Sequence, residues 1–144
     1  SSSAAEAVAA ADIVVLVTAS PAPVIRDEDI APGTHICAVG ACRPTQREMP
    51  TALVRRARLF VDSRAAALVE AGDIVIPIGE GAFAADHIVG ELGRVVPGAC
   101  EGRRTADEVT LFKSLGMAVE DIVAGTLAVE RAEAAGLGTR FSLS

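Results

Sequence analysis

The chain has 144 residues, 51% apolar, 22% charged and 3% aromatic, with a formal net charge of −6. High hydropathy with modest charge excludes an intrinsically disordered chain, and the length fits one domain burying about two-thirds of its unfolded surface. An acidic balance without a basic cluster argues against nucleic acid and anionic membranes as partners.

Ser3-Ala4-Ala5-Glu6 has the form of a capping box and predicts a short helix to about Ala10. The leading run from Ser1 to Glu6 carries no positive charge and reads as no secretory signal. Asp12 to Thr18 is a continuous β-branched run, the pattern of a strand buried on both faces of a parallel sheet. The uncharged stretch from Ile13 to Ile25 is too short to span a bilayer, and Pro21 and Pro23 interrupt it. Arg26 to Asp29 predicts one helical turn, and Pro32-Gly33 a chain reversal. His35 to Gly40 is the second buried strand. A loop runs from Ala41 to Glu48, and a helix from about Pro50 to Ala57 with the proline in its first turn.

Leu59-Phe60-Val61 is a third strand, and Ser63 caps a helix from Arg64 to Ala71 that Gly72 ends in the left-handed conformation. Asp73 to Ala85, with Pro77, Gly79 and Gly81, reads as a long loop, and His87 to Leu92 as a helix stopped by Gly93. Val109 to Lys113 is the last strand. Ser114-Leu115-Gly116 turns it into a long helix from about Met117 to Ala135, ended by Gly136. This helix carries a broad stripe that includes Met117, Val119, Ile122, Val123, Leu127 and Val129, wider than a surface helix needs.

The alternating order predicts an α/β fold. Its first strand follows a helix, and neither GxGxxG nor GxxxxGK[ST] occurs; Gly79-Glu80-Gly81 is the nearest glycine pair. The expected architecture is a partial doubly wound, Rossmann-like parallel sheet lacking its Gly-rich first unit, followed by a long C-terminal helix. In such sheets ligands bind at the carboxyl ends of the strands. That geometry selects Thr18-Ala19-Ser20, Val39-Gly40-Ala41-Cys42 and Ser114-Leu115-Gly116 as candidate site segments.

Three cysteines, Cys37, Cys42 and Cys100, make neither a disulfide framework nor a CxxC pair, which points to a reducing cytoplasm. No His, Cys or carboxylate pair has metal-ligand spacing, so no metal is expected. Cys42 reads either as a small neutral wall or packing residue, or as a reactive thiol, which needs His or Asp beside it. His35 enters a strand and is expected to be a satisfied structural histidine, and His87 a solvated one. The Thr18 hydroxyl can meet a ribose or phosphate, or a local backbone group. Ser114 can cap a helix and still border a ligand. Asp62, Glu120 and Asp121 fit capping and dipole roles, and Arg103-Arg104 a solvated loop.

Taken in order, Ala11-Asp12-Ile13-Val14-Val15, Pro32-Gly33-Thr34-His35-Ile36, Ala38-Val39-Gly40-Ala41, Arg43-Pro44, Arg47-Glu48, Val61-Asp62-Ser63, Glu91-Leu92-Gly93 and Thr110-Leu111-Phe112-Lys113-Ser114-Leu115-Gly116-Met117-Ala118-Val119-Glu120-Asp121 form a specific set. It resembles the ornithine cyclodeaminase and mu-crystallin family. Nearly the whole chain takes part, and the match is expected to be to the C-terminal portion of a family member only. The resemblance implies a homodimeric oxidoreductase using NAD or NADPH on small cyclic imino acids or amino acids. It implies cofactor contacts at Thr18, Cys37, Ala38, Val39, Gly40 and Ser114, and a substrate contact at Leu115. Residues 1–99 are then the second half of a dinucleotide-binding domain. Residues 100–144 are a strand and helix returning to the substrate and dimerisation domain, onto which the long helix packs.

Members that cyclodeaminate ornithine carry an aspartate just after the Val-Gly pair; here Cys42 stands there. A neutral thiol is a poor carboxylate base, and its loss hurts cyclodeamination more than imine reduction. The resemblance therefore leans to the ketimine-reductase side, with ornithine cyclodeamination to proline as an alternative. The catalytic residues themselves stay unknown. The family places a carboxylate-binding Arg and a catalytic Lys in its N-terminal domain, so the isolated 144 residues are expected to be catalytically silent. The rival readings are a silent fragment or nucleotide- or ligand-binding module, and a thiol enzyme using Cys42.

Overall fold

The computed structural model describes residues 3–141. The leading run read from Ser1 and the end of the second expected domain fall partly outside them. Five short strands form one sheet: β1 (Ile13–Leu16), β2 (His35–Ala38), β3 (Arg58–Val61), β4 (Ile88–Glu91) and β5 (Thr110–Lys113). Their order is β1-β2-β5-β3-β4, and every pairing is parallel. The helices are α1 (Ala4–Val8), α2 (Thr51–Arg56), α3 (Arg64–Glu70), α4 (Gly72–Gly79), α5 (Leu92–Val95) and the long α6 (Ala118–Ala134). Parallel strands need crossover connections, and α2 to α5 lie in those from β2 onward, while the β1–β2 connection holds only a 3₁₀ turn. The Rossmann-like parallel sheet and the long C-terminal helix are those expected.

The core lies on one face of the sheet. Val14, Leu16, Ile36, Ala38, Leu59, Val61, Ile88 and Leu111 point into it and meet Leu53 and Val54 of α2, Ala67 of α3 and Ile74 of α4. The opposite face is partly open. Its residues Ile13, Val15 and Val17 are 63%, 57% and 70% exposed. The expectation of a first strand buried on both faces is therefore corrected: β1 alternates exposed and buried residues. Over β3 that second face is covered by the segment around Gly102, whose carbonyl accepts from Arg58 Nε at 2.7 Å.

The local chemistry behaves as the residue types dictate. The Ser3 hydroxyl accepts from Glu6 N at 3.1 Å, Ser63 caps α3 through Ala66 N at 3.4 Å, and the region from Asp27 to Asp29 makes one 3₁₀ turn. Pro50 caps α2 rather than entering its first turn, because its backbone is extended there. Three further expectations are corrected. Gly72 does not end α3 in the left-handed conformation; the helix stops at Glu70 and Gly72 opens α4. The stretch after Asp73 is not a long loop, because α4 runs through Pro77 to Gly79. His87 to Leu92 is not a helix: β4 pairs there with β3, Leu59 opposite Ile88, and only the single turn α5 follows. Among the described residues no helix is long and apolar enough to cross a membrane.

Candidate functional site at the carboxyl edge of the sheet

A parallel sheet delivers the carboxyl ends of its strands to one edge. Because β1, β2, β5 and β3 are neighbours, their exits stand side by side: Thr18 after β1, Val39 and Gly40 after β2, Ser114 and Leu115 after β5, and Asp62 after β3. Ladder bonds continue into these exits, from Val39 N to Leu16 O at 2.9 Å and from Ser114 N to Ala38 O at 3.0 Å.

Two buried carboxylates organise the edge. Glu48 accepts from Thr18 N at 2.5 Å on one oxygen, and from Gly40 N at 2.9 Å and Ala41 N at 3.1 Å on the other. Gly40 lies so close to the first exit that a Cβ there would sit 2.1 Å from the Thr18 carbonyl oxygen. The backbone of the Glu48 segment is held in turn, since Asp73 Oδ1 accepts from Glu48 N at 2.8 Å and Met49 N at 3.1 Å. Asp73 Oδ2 faces Lys113 Nζ at 3.5 Å, with both side chains fully buried. Neither of those two atoms has a hydrogen-bond partner among the described residues. Burial pushes the Asp73 carboxyl above its ordinary value, against the pull of Lys113 and of the two amides.

Asp62 serves the other pair of exits. Its Oδ2 accepts from the Ser114 hydroxyl at 2.9 Å, Leu115 N at 2.7 Å and Gly116 N at 2.8 Å, and its Oδ1 from Ser63 N at 2.7 Å. Burial pushes this carboxyl up. The Leu115, Ser63 and Gly116 amides and the Ser114 hydroxyl together outweigh that and bring it below the ordinary range. Gly116 has φ +84°, a conformation that glycine adopts without strain.

The expected site residues divide into those that line this edge and those that do not present a side chain to it. Thr18 is exposed, and its hydroxyl accepts from Ser20 N at 3.4 Å; Val39 is 41% exposed. Gly40 and Leu115 border the same edge, half-buried. The Ala38 side chain lies in the core, so only its backbone reaches the exit. Ser114 is buried with its hydroxyl turned onto Asp62. Cys37 lies on the open face of the sheet, its Sγ 3.4 Å from His35 Nε2. His35 Nδ1 lies 2.8 Å from Thr110 Oγ1, and burial, then Arg103, hold this histidine below its ordinary value against the Thr110 bond. His87 bonds to the Val54 carbonyl at 2.9 Å and lies against Phe83. Neither histidine thus stands with Cys42, which is exposed on its loop. Among the described residues no cluster of three His, Cys, Asp or Glu side chains is arranged to hold a metal ion.

Sequence reasoning did not reach Glu48, Asp73 and Lys113 as parts of the edge, and it read Asp62 as a cap. The available signal was a glutamate followed directly by Met49 and Pro50, where the chain turns inward. A hollow of about 390 Å³ opens beside Asp62, between Phe112, Leu92 and Met117. Another of about 570 Å³ lies over the open face at His35, Cys37 and Thr110.

A model of the ornithine cyclodeaminase/mu-crystallin family matches residues 1–136. This corrects the expectation of a resemblance confined to a C-terminal portion, because the family domain is assigned to almost the whole chain. The Delta(1)-pyrroline-2-carboxylate reductase of Bacillus cereus is 42% identical over 137 residues, covering 94% of this chain and 42% of that protein. The mouse (Mus musculus) ketimine reductase mu-crystallin is 48% identical over 126 residues, covering 88% of this chain and 37% of that protein. The chain thus spans about two-fifths of the length of these curated relatives. Among solved structures, the Thermococcus litoralis Delta(1)-pyrroline-2-carboxylate reductase in complex with NADH and L-proline is 42% identical. It superposes with a TM-score of 0.87 over 96% of this chain and 43% of that one.

Proposed function

From the premise that the chain belongs to the ornithine cyclodeaminase/mu-crystallin family, we propose that it serves an NAD(P)-dependent reductase of small cyclic imino acids. The observation that carries this reading is the row of three adjacent strand exits, those of β1, β2 and β5, with Thr18, Gly40, Ser114 and Leu115 along one edge. The relatives that combine a reductase name with high identity, and the solved one bound to NADH and L-proline, support the same reading.

The donor set fits a dinucleotide. Thr18 offers an exposed hydroxyl, and Val39 and Gly40 offer backbone that a flat ring can approach. Leu115 offers an apolar wall to the substrate. Cys37 and Ala38 would contribute through the backbone of β2, and Ser114 by holding its turn against Asp62. Reduction of a ketimine adds a hydride to the imine carbon and a proton to its nitrogen, and the bound nicotinamide would supply the hydride. Cys42 in place of a carboxylate removes a base that cyclodeamination needs and imine reduction does not. That difference favours ketimine reduction over conversion of ornithine to proline.

The same proposal keeps residues 1–99 as part of a dinucleotide-binding domain and residues 100–144 as the return to a substrate and dimerisation domain. It takes the enzyme to be a homodimer of the reducing cytoplasm, consistent with three free cysteines. The test, on the full-length enzyme that this chain serves, is oxidation of NADH or NADPH with pyrroline-2-carboxylate, set beside reduction of NAD with ornithine, together with titration of each dinucleotide. Saturable binding that Thr18→Val weakens, and turnover of the ketimine over ornithine, are expected. Preferential turnover of ornithine, or no uptake of either dinucleotide, would refute the proposal.

A further inference from the structure

We propose that Glu48 is a positioning residue, whose buried carboxylate clamps the exits of β1 and β2 into one surface while Asp73 and Lys113 brace it against the exit of β5. The consequence for cofactor affinity rests on the functional reading above; the clamp itself does not.

The argument begins with cost. Glu48 is completely buried, and an ionised carboxylate is tolerated there only when its oxygens are hydrogen-bonded. Its three donors come from two different chain segments, Thr18 N from one exit and Gly40 N and Ala41 N from the other. Amides at strand exits have lost their ladder partners, and without the carboxylate these would need water or a ligand. The carboxylate therefore stands inside the fold as an acceptor shared by both exits. Its effect is cross-linking: neither exit can move outward without leaving an amide unpaired.

Steric fit points the same way. The missing Cβ at Gly40 lets its backbone approach Thr18 to a separation that no side chain would allow, and the same Cβ would stand 2.5 Å from Glu48 Oε1. The two exits are thus packed on each other and bonded to one group. Behind that group the support continues in one line. Asp73 holds the Glu48 and Met49 amides with one oxygen and faces Lys113 with the other. Lys113 is the last residue of β5, next to Ser114. Three exits are thereby set by one run of buried side chains, which reaches the first two through their backbone amides. Each of these side chains acts through another, so none is a catalytic residue.

Glu48→Gln tests the clamp, because it keeps the size and replaces one acceptor oxygen by an NH₂ donor. With N–H groups arriving at both oxygens, the amide must set a donor against at least one of them. Ile88→Ala, a core truncation in β4, controls for general loss of stability. Amide hydrogen exchange and the NADH dissociation constant are measured on all three proteins. In the wild type, the Thr18, Gly40 and Ala41 amides are expected to be protected like core strand amides. Glu48→Gln is expected to speed their exchange and to raise the NADH dissociation constant, each by about tenfold, the worth of one unpaired buried donor. The Leu59 amide keeps its rate in that variant. Ile88→Ala lowers the melting temperature and leaves the three amides and the NADH affinity as in the wild type.

The clamp is overturned if the wild-type amides exchange as fast as that of the exposed Cys42, a result that needs no variant to fold. It is overturned equally if Glu48→Gln leaves them protected, or loosens the whole sheet uniformly. Loosened exits with unchanged NADH affinity would overturn the positioning role. If the wild type takes up no NADH, the dinucleotide reading fails, and the exchange pattern still decides the clamp.

Discussion

Asp62 shows how one side chain can fix a turn and leave a signature in the pH dependence of stability. Three donors converge on its Oδ2 and a fourth on its Oδ1. Asp62→Asn must turn an NH₂ toward at least one of them, which costs about 1–3 kcal/mol in urea unfolding at neutral pH. The folded carboxyl titrates below its unfolded value, so its stabilisation is present above the unfolded pKa and is lost as pH falls through the folded one. The acid limb of the stability profile should therefore be shallower in Asp62→Asn than in the wild type. Asp73 works in the opposite sense. Its folded pKa is raised, so what it contributes is present at low pH and fades as pH rises through the folded value. His35 is the group for the neutral range. It is held below its ordinary value by burial and Arg103, so its contribution is full above the unfolded pKa and is lost as pH falls toward the folded one. Melting temperatures taken from roughly pH 7 down to 5 should fall less steeply in His35→Asn, because that variant has no imidazole to charge.

At the scale of elements, backbone contact decides outcomes that propensity does not. A Cβ at Gly72 would lie 1.9 Å from the Gln46 carbonyl oxygen, whereas one at Gly79 in the same helix meets nothing within 4 Å. Gly72→Ala should cost about 3 kcal/mol through forced separation of α4 from the loop that carries Glu48. Gly79→Ala should gain about 0.5 kcal/mol by restricting the unfolded chain. Thermal unfolding of the two variants side by side checks both signs. The same distinction explains what the amino-acid sequence made legible. Strand β1 announces itself by a β-branched run, β2, β3 and β5 by short apolar runs, α1 and α3 by their serine caps and α6 by its glycine stop. Strand β4 offers only Ile88-Val89 before Gly90, and it exists because Leu59 and Phe60 of β3 stand ready to pair with it. Helix α4 was hidden by Pro77 and Gly79, yet it forms because Ile74 is buried beneath it and Asp73 is anchored by two amides. At the edge, Thr18, Gly40 and Ser114 were legible as strand exits. Glu48, Asp73 and Lys113 were not, since their partners lie far along the chain and no local pattern encodes such a meeting.

Across the whole molecule the sheet is asymmetric, and the asymmetry can be measured one residue at a time. Helices α2, α3 and α4 close one face, while Ile13, Val15, Val17 and Val39 remain exposed on the other. Helix α6 is exposed along its length, with Ile122 at 67% and Leu127 at 44%. A parallel sheet ordinarily has both faces covered, so the apolar surface that remains carries no stabilising burial in this chain. Adjacent residues of β1 must then differ sharply in worth. Leu16 is 6% exposed and packs in the core, so Leu16→Ala should cost about 2–5 kcal/mol, the transfer of its methyl groups plus the cavity left behind. Val15 loses almost nothing that folding had buried, and Val15→Ala should stay within about 0.5 kcal/mol of the wild type. Urea unfolding of both variants decides the register of β1. A one-residue slip would exchange the two costs, because it moves every side chain of the strand to the other face. Equal, large losses at both positions would mean that the second face is also covered, by a neighbouring copy or by chain that folds back upon it. Repeating the Val15→Ala measurement at two protein concentrations separates those cases, since only association with a second copy makes the loss depend on concentration.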